Sequence, residues 1–435
     1  MRVAGIIAEF NPLHNGHVYL IDKIREELGP DTPVVIIMSG DFVQRGQPAL
    51  CDRAARTAAA LQCGADIVLE MPFTFATGSA DRFAKGGVLS LQGSGVVTDL
   101  YFGAEHDSLS DLSKIASIDF ESDPVFKETL SEAQKGGLSY AAAWESAASK
   151  VIGSLSDPDL LSSFSSIIKN PNNTLAIAYL RELKKTDSFI TPHLIRRESD
   201  YNDEELHQGG FPSASAIRKK VLQEHFLGKS ELFASASDLT SYIPVPMLAE
   251  MLSSWGSGTI PMGEDQLIEA VFPILSATSS STLSDTAHMG EMLASHLKNS
   301  ISTMHYQAGS PIGQTFYQTV NTRCFSYTRI MRALTSLVIG QKEEDLQVLL
   351  APKYLRLLGF SERGRGVLKT MREQSQLPIL SRASDARHYG KDPVFSRMNE
   401  LDRISHDFWT FRARGTWEED FRFEVIQYKR KKIYR

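Results

Sequence analysis

The chain has 435 residues, of which 42% are hydrophobic and 23% are charged. This length allows two or three domains, and the composition is that of an ordinary globular protein that can bury a sizeable core. No apolar stretch approaches the ~20 residues that a membrane helix needs, so we expect no membrane-spanning helix.

The net charge of −6 conceals an uneven distribution along the chain. Residues 323–435 contain 23 Lys and Arg against 14 Asp and Glu, whereas the residues before them contain 23 against 38. This polarity indicates a nucleic-acid-binding face near the C-terminus, where the segment YKRKKIYR has the densest positive charge. A solvated or disordered end is the alternative interpretation of that segment.

The three cysteines, Cys51, Cys63 and Cys324, lack the spacing of a disulfide framework. The N-terminus leads directly into an apolar segment without a basic start or a cleavage site, so we expect no signal peptide. Both observations predict a cytoplasmic protein, because the cytoplasm keeps thiols reduced. Cys51 and Cys63 lie on an Ala-rich predicted helix and are expected to be core residues, not nucleophiles.

Predicted strands and helices alternate over the N-terminal part of the chain. Short apolar segments typical of buried strands are VAGII, PVVIIMSG, ADIVLEMPF and VTDLYFGAE, and helical patterns separate them. This alternation predicts an α/β fold with a doubly wound, mainly parallel sheet. Ligands bind beyond the carboxyl ends of such strands, which here are Asn11–His17, Ser39–Arg45, Met71–Phe75 and Gly103–Glu105.

The remaining patterns are mostly helical. Residues 109–169 predict a helical insertion into the α/β unit, and PNNTLAIAYLREL predicts a further helix. SFITPHLIRRESDYND predicts a strand and a polar loop, and FPSASAIRKKVL predicts a helix that Ser213 and Ser215 can cap. Because nearly all later patterns are helical, we expect two domains, 1–232 and 233–435, with the second mostly α-helical and basic.

The turn after the first strand, FNPLHNGH, combines two histidines with a glycine. If a helix begins near Asn15, its unpaired N–H groups and its dipole favour a bound anion, most obviously phosphate. His14 and His17 would then project to one side of the anion, and Gly16 would let it approach the backbone. A purely structural turn and a zinc site are the alternatives, although no accompanying ligand set has zinc-finger spacing.

Two motifs and several longer segments carry a family resemblance. HNGH after a strand resembles the HxGH signature of the nucleotidyltransferase superfamily, and SASAIR resembles its second signature. The segments MSGDFVQRGQPAL, GADIVLEMPF, FGAE, PNNTLAIAYL, YTRIMRAL and YLRLLGFSERGRGVL extend the likeness along the chain, which resembles the tRNA(Met) cytidine acetate ligase family. The resemblance implies a bacterial, cytoplasmic enzyme with a Rossmann-like nucleotidyltransferase domain. It would use ATP to activate acetate as acetyl-adenylate and would form N4-acetylcytidine at the wobble position of elongator tRNA(Met).

The resemblance also implies roles for individual residues. His14 and His17 would hydrogen-bond the ATP phosphates, with His17 acting in the transition state, and Mg²⁺ would be bound mainly by the phosphates. The expected ATP-binding residues are Ile7, Ala8, Glu9, Phe10, Asn11, His14, Gly16, His17, Leu20, Gly103, Asn172, Arg197, Ser213, Ser215 and Arg218. The candidate tRNA contacts are Arg323, Arg329, Arg332, Arg363, Arg365, Lys429, Arg430, Lys431 and Lys432.

Neighbouring residues leave some of these roles ambiguous. Asn173 could bind ATP in place of Asn172, and the other asparagine would cap the helix. Arg196 could likewise replace Arg197, with an exposed ion pair as the structural role. Gly103 could be only a turn glycine.

Further positions have an open role. Ser213 and Ser215 could be caps alone, and Arg45, at a strand end, either faces the nucleotide or stabilises its loop. The pair Asp52 and Arg53 departs from the family pattern, in which we expect Lys at the second position, and this puts a catalytic role there in doubt.

Two other functions compete with acetate ligation. A small-molecule adenylyltransferase would transfer AMP to a phosphorylated cofactor precursor, but the long chain and basic C-terminal part argue against it. A non-catalytic, nucleotide-sensing RNA-binding protein is the other candidate, and the two histidines and Arg218 argue against it. The oligomeric state and the basis of acetate selection are left open by the sequence.

Overall fold

A single sheet forms the centre of this computed structural model, which describes residues 1–136, 138, 140–155, 157–197, 213–227, 239–307 and 311–429. Its strands are β1 (Ala4–Ala8), β2 (Val34–Ser39), β3 (Ile67–Met71), β4 (Asp99–Ala104), β5 (Thr191–Arg196), β6 (Leu355–Ser361), β7 (Ile379–Leu380) and β8 (Ile426–Tyr428). The strand order is β5-β4-β1-β2-β3-β6-β7, and β8 pairs with β6. The first five strands pair in parallel, which confirms the predicted doubly wound, mainly parallel sheet.

Helices cover the sheet and fill the rest of the described chain. Those of the N-terminal half are α1 (Asn15–Leu28), α2 (Arg53–Gln62), α3 (Phe73–Ala76), α4 (Ala80–Gly93), α5 (Leu109–Ala116), α6 (Pro124–Lys135), α7 (Tyr140–Gly153), α8 (Pro158–Lys169), α9 (Pro171–Lys185) and α10 (Ala214–Leu227). Those that follow are α11 (Val245–Gly256), α12 (Glu264–Ala277), α13 (Ser280–Leu283), α14 (Gly290–Ser302), α15 (Ile312–Val320), α16 (Tyr327–Ile339), α17 (Glu343–Val348), α18 (Glu362–Gln374) and α19 (Pro393–Arg414). Short 3₁₀ helices lie at Phe120–Ser122, Ala383–Tyr389 and Glu419–Arg422. None of the described helices combines the length and the apolar character that crossing a membrane requires.

The sheet is buried on both faces, and β2 shows why. Successive side chains of a strand point to opposite faces, so a strand between two helical layers is apolar throughout. Val35 and Ile37 belong to one hydrophobic core, whereas Val34, Ile36 and Met38 belong to the other. Two cores therefore lie on the two sides of one sheet.

The helices and strands predicted from local sequence patterns are present at the predicted positions. Helix α1 begins at Asn15, and α5 to α8 form the helical insertion between β4 and α9. SFITPHLIRRESDYND contains β5, although residues 198–203 of its polar loop lie outside the described residues.

The part of the chain after residue 233 was predicted to be almost wholly helical, and it also contributes three strands. Strand β6 pairs with β3 in antiparallel register, with Ile67 opposite Phe360 and Glu70 opposite Arg356. A short Leu-rich run such as LRLLGFS does not distinguish a buried strand from a helical segment, because neither alternation nor a helical stripe is visible in it. The division into domains at residue 232 stays a prediction, but the sheet itself draws on both parts of the chain.

Buried charges tie β6 to the N-terminal strands. Arg53 donates to both carboxylate oxygens of Glu70, at 3.0 and 2.8 Å, and also pairs with Asp420. Arg356 donates to both oxygens of Asp420, at 2.8 and 2.9 Å. All four side chains are almost fully buried. Because an unpaired buried charge is strongly destabilising, each depends on the others.

Candidate active site

A cavity opens beyond the carboxyl ends of β1 and β4, where the sequence predicted the nucleotide site. Of the predicted ATP-binding residues, those that line it are Ile7, Ala8, Glu9, Phe10, Asn11, His14, His17, Leu20, Gly103, Asn172, Arg197, Ser213, Ser215 and Arg218. Gly16 is the exception, and its N–H caps the turn by donating to His14 Nδ1 at 3.1 Å. The structure thus brings the two sequence motifs together, while the role of each residue stays a prediction.

The two histidines are oriented by the backbone of the turn itself. His14 is the N-cap of α1, and its Nδ1 accepts the hydrogen bond from Gly16. His17 Nδ1 accepts a hydrogen bond from the His14 N–H at 3.1 Å, and the two ring centroids lie 3.9 Å apart. Since each Nδ1 is an acceptor, each neutral ring carries its proton on Nε2. Both Nε2–H groups are thereby available as donors.

Electrostatics keep these rings neutral. Burial, with a smaller contribution from the Arg197 charge, lowers the pKa of His17 to about 3. Burial and the nearby His17, Arg197 and Arg218 hold the pKa of His14 well below its usual value. The two arginines and the N-terminus of α1 supply the positive potential of the cavity, and the histidines supply hydrogen bonds.

The second motif closes the cavity from α10. Ser213 Oγ caps this helix, accepting from Ala216 N at 3.1 Å. Arg218 donates to Asn11 O at 2.8 Å and to Ser215 Oγ at 3.0 Å, which links the second motif to the turn of the first. Ser213 therefore has the cap geometry that the sequence offered as its alternative role, and it also lines the cavity.

The two asparagines have different surroundings. Asn173 is buried, its Oδ1 accepts from the N–H groups of Glu105 and His106 at 2.9 Å each, and its Nδ2 donates to Ile167 O at 3.0 Å. Asn172 lines the cavity and donates to Glu105 Oε1 at 2.6 Å. Asn173 thus holds the β4 loop, and Asn172 is the residue that a ligand would reach.

The two arginines at the end of β5 separate in the same way. Arg196 points outward and lies 3.5 Å from Asp107 in an exposed ion pair. Arg197 lines the cavity, and its N–H donates to Ala104 O at 2.8 Å. A Cβ at Gly103 would lie 3.1 Å from Arg197 Cγ. Gly103 therefore provides the space through which the Arg197 side chain passes.

Some cavity residues were not singled out from the sequence. They are Ile6, Val43, Gln44, Gln47, Phe83, Tyr101, Phe102, Pro171, Leu175, Tyr179 and Ala214. Arg45 lines the cavity as its position at a strand end suggested, and the loop continues along the wall to Gln47. Phe83 and Tyr179 lie on helices, where no local motif marks the face that meets a cavity.

Other candidate positions lie away from the cavity wall. Asp52 caps α2, accepting from Ala55 N at 2.7 Å, and Arg53 is held in the buried ion network. Neither lines the cavity, so the departure from the family pattern falls at a structural position. Cys51 is buried, and burial raises its pKa and raises that of Cys63 to about 12, so both thiols stay protonated.

The candidate tRNA contacts form two groups. Arg323 and Arg329 are exposed near the start of α16, where Arg329 donates to His288 O at 3.2 Å, and Arg332 is partly buried. Arg363 and Arg365 are exposed on α18, after the end of β6 that adjoins the start of β3, and Lys429 is exposed after β8. The second group thus lies at the edge of the sheet opposite the cavity. Arg430, Lys431 and Lys432 lie outside the described residues.

Comparison with known proteins places this geometry in a family. The family model described as HIGH Nucleotidyl Transferase matches residues 1–417. A tRNA(Met) cytidine acetate ligase of Acetivibrio thermocellus is 34% identical over 414 residues, 94% of each chain. One of Syntrophomonas wolfei is 34% identical over 419 residues, again 94% of each chain.

A solved structure gives the same result. The crystal structure of Thermotoga maritima TmcAL bound with alpha-thio ATP has a TM-score of 0.85 to this chain at 27% identity. The alignment covers 99% of this chain and 100% of that one. Both the sequence and the fold thus match over nearly the full length. The chain belongs to the tRNA(Met) cytidine acetate ligase family of HIGH nucleotidyl transferases.

Proposed function

We propose that this chain is an ATP-dependent acetate ligase that acetylates N4 of the wobble cytidine of elongator tRNA(Met). The observation that carries the proposal is the neutral pair His14 and His17, held at a helix N-terminus in one cavity with Arg218 and Arg197. Such a site binds a polyanion by fixed donors and positive charge, which is what the activation of a carboxylate by ATP requires.

In the first step, an acetate oxygen attacks the α-phosphorus of ATP. The bond between that phosphorus and the bridging oxygen of the β-phosphate breaks, and pyrophosphate leaves. The Nε2–H of His17 would donate to the phosphoryl oxygens as their charge grows, and Arg218 with Ser215 would hold the outgoing phosphates. The protein positions the reactants and stabilises charge without forming a covalent bond to them.

In the second step, the cytidine N4 attacks the acetyl carbonyl carbon. A C–N bond forms, the bond between that carbon and the AMP oxygen breaks, AMP leaves with the electron pair, and N4 loses one proton to AMP or water. A wobble base lies in a single-stranded loop, so it can enter a protein cavity without the opening of a duplex. The exposed arginines of α16 and α18 would contact the tRNA backbone.

Magnesium would accompany ATP. Glu9 is the carboxylate that lines the cavity among the described residues, and its Oε1 already accepts from Gln44 N at 3.0 Å. A hard cation there would therefore take most of its oxygen ligands from phosphate and water. A cytoplasmic location stays a prediction.

Transfer of radiolabelled acetate to total bacterial tRNA, with and without ATP, tests the proposal. We expect ATP-dependent label that is recovered as N4-acetylcytidine after digestion. Absence of label from folded protein that binds ATP would contradict acetate ligation. Transfer of AMP to a phosphorylated cofactor precursor would then identify the competing adenylyltransferase.

A further inference from the structure

The loop after β2 places Gln47 between the cavity and α16. Val43 N donates to Gln47 O at 3.0 Å, and Gly46 N donates to Val43 O at 2.8 Å, so the turn is closed on itself. Thr335 Oγ1 of α16 donates to Gly46 O at 2.6 Å. Gly46 has a φ of +74°, and a Cβ there would lie 2.4 Å from Arg332 N. The backbone around Gln47 thus packs directly against α16.

The side-chain amide of Gln47 is held in one orientation. Its Nε2 donates to Glu264 Oε1, and the hydroxyl of Tyr327 donates to Glu264 Oε2 at 2.8 Å. Burial raises the pKa of Glu264, and these two donors and the Arg218 charge offset that rise only in part. Each oxygen of Glu264 accepts one of these two hydrogen bonds, so the NH₂ group of Gln47 faces Glu264 and the amide oxygen faces away.

The side-chain oxygen of Gln47, Oε1, is the amide atom that can contact a ligand. Gln47 lines the cavity, and among the described residues none donates a hydrogen bond to its Oε1. Rotation of the amide would bring Oε1 against the Glu264 carboxylate, which is unfavourable. The wall of the cavity nearest to α16 therefore presents a fixed hydrogen-bond acceptor.

We propose that Gln47 Oε1 accepts a hydrogen bond from the exocyclic amine of the target cytosine, and that Glu264 and Tyr327 are positioning residues that hold Gln47 as an acceptor. The inference rests on the proposed function, since it assigns the base that this function acetylates. Cytosine presents a donor, N4–H₂, where uracil presents the acceptor O4. The O4 of uracil would face the fixed carbonyl oxygen of Gln47, and two acceptors repel each other. This contact would therefore select cytosine over uracil.

The same contact suits the acetyl transfer. The two N–H bonds of the cytosine amine lie in the plane of the ring, and an in-plane acceptor leaves the face of N4 open to the acetyl carbonyl. Gln47 takes no proton in this step, because an amide is a very weak base. Its part is to bind and orient the amine.

The test separates the two half-reactions. Pyrophosphate exchange into ATP in the presence of acetate reports adenylate formation, and acetyl transfer to an anticodon stem-loop RNA reports the second step. Binding of that RNA with cytidine or uridine at the wobble position reports base selection. Gln62→Leu is the matched control, since Gln62 donates to Glu250 at 3.2 Å in an exposed pair away from the cavity.

Gln47→Leu should leave pyrophosphate exchange within about twofold of wild type while transfer falls roughly ten- to hundredfold, because the cytosine amine would lose its acceptor and leucine cannot replace it. The preference for cytidine over uridine in binding should fall by a similar factor. Glu264→Gln, which offers a donor as well as an acceptor, and Tyr327→Phe should weaken this preference with exchange retained.

Two results would overturn the inference. Equal losses of exchange and transfer in Gln47→Leu would place Gln47 at the nucleotide, and an unchanged cytidine preference would place the amine elsewhere. A wild-type protein that fails to acetylate cytidine would instead contradict the proposed function, so the two failures are distinguishable.

Discussion

His406 Nδ1 of α19 lies 2.5 Å from Asp41 Oδ2, and both side chains are buried. Asp41 lies two residues after the end of β2, and its Oδ1 also accepts from Arg53 N at 2.9 Å. A helix near the C-terminus is thereby fixed to the loop that carries Arg45 and Gln47. The position of the cavity wall depends on this contact between distant parts of the chain.

Asp41→Asn should lower the free energy of unfolding by about 3–5 kcal/mol, because it leaves buried cationic partners without their anion. Burial raises the pKa of Asp41, but His406, Arg53 and Arg56 outweigh it and lower the pKa to about 2. The folded form therefore binds this proton less readily than the unfolded chain does, and the stabilisation is present above about pH 4 and lost towards pH 2. Denaturant unfolding of both proteins from pH 7 to 2 measures this, and a constant difference in stability across that range would contradict it.

His17→Ala should abolish adenylate formation while the fold is retained. The variant loses the donor that would meet the α-phosphate and one acceptor at the helix N-terminus, so unfolding should become easier by only about 1 kcal/mol. Acetate-dependent pyrophosphate exchange measures the reaction. His305→Ala, at an exposed position, is the control, and normal exchange in His17→Ala would rule out the proposed site.

The free energy of unfolding should also fall as the pH is lowered from about 6.5 in the absence of ATP. The pKa of His17 is about 3 in the folded protein against an ordinary 6.5, so over this range the unfolded chain binds the proton more readily. His17→Asn should reduce the slope of stability against pH. Identical slopes in the two proteins would mean that the folded His17 titrates normally.

Gly103→Ala should raise the KM for ATP more than it lowers stability. The added Cβ would lie 3.1 Å from Arg197 Cγ and 3.3 Å from its Cδ, so the Arg197 side chain must shift. Gly366→Ala on α18 is the matched control, because a Cβ there meets no atom within 4 Å. An unchanged KM would show that Arg197 does not contact ATP or that its contact tolerates the shift.

Replacement of Arg365, Lys369 and Arg372 by Ala should weaken tRNA binding without changing ATP binding. These exposed residues lie on one face of α18 and share a surface groove with the ring of Phe360. Each lost phosphate contact should reduce the slope of log affinity against log salt by about 0.7–0.9. Ala replacements of Lys127, Lys135 and Lys150 in the helical insertion are the control, and equal effects would indicate only a loss of net charge.

The candidate nucleotide cavity could be predicted because local sequence determines it. The strand, the turn and the helix N-terminus that hold His14 and His17 occupy one continuous segment, and the cap of α10 lies beside Arg218 in another. The ambiguity between Asn172 and Asn173 could not be resolved in this way. Adjacent residues on a helix point in different directions, and only the packing of α9 on β4 decides which one meets the cavity.

Contacts between remote parts of the chain could not be predicted from sequence patterns. Gln47 and Glu264 are 217 residues apart, and Asp41 and His406 are 365 apart. No sequence motif that contains one of these four residues identifies the residue that it contacts. The basic residues after residue 323 were likewise predicted as one face, but α16 and α18 carry them to separate parts of the surface.

The pairing of β6 with β3 bears on the synthesis of the protein. Ile67 and its sheet partner Phe360 leave the ribosome far apart in time, roughly 15 to 60 s at ~5–20 residues per second. Throughout that interval β3 has an open edge and Glu70 lacks Arg356, a condition that favours association between nascent chains. A product that stops at residue 232 would keep this open edge permanently. The part of the chain that carries the candidate nucleotide site is therefore not expected to serve as an independent module.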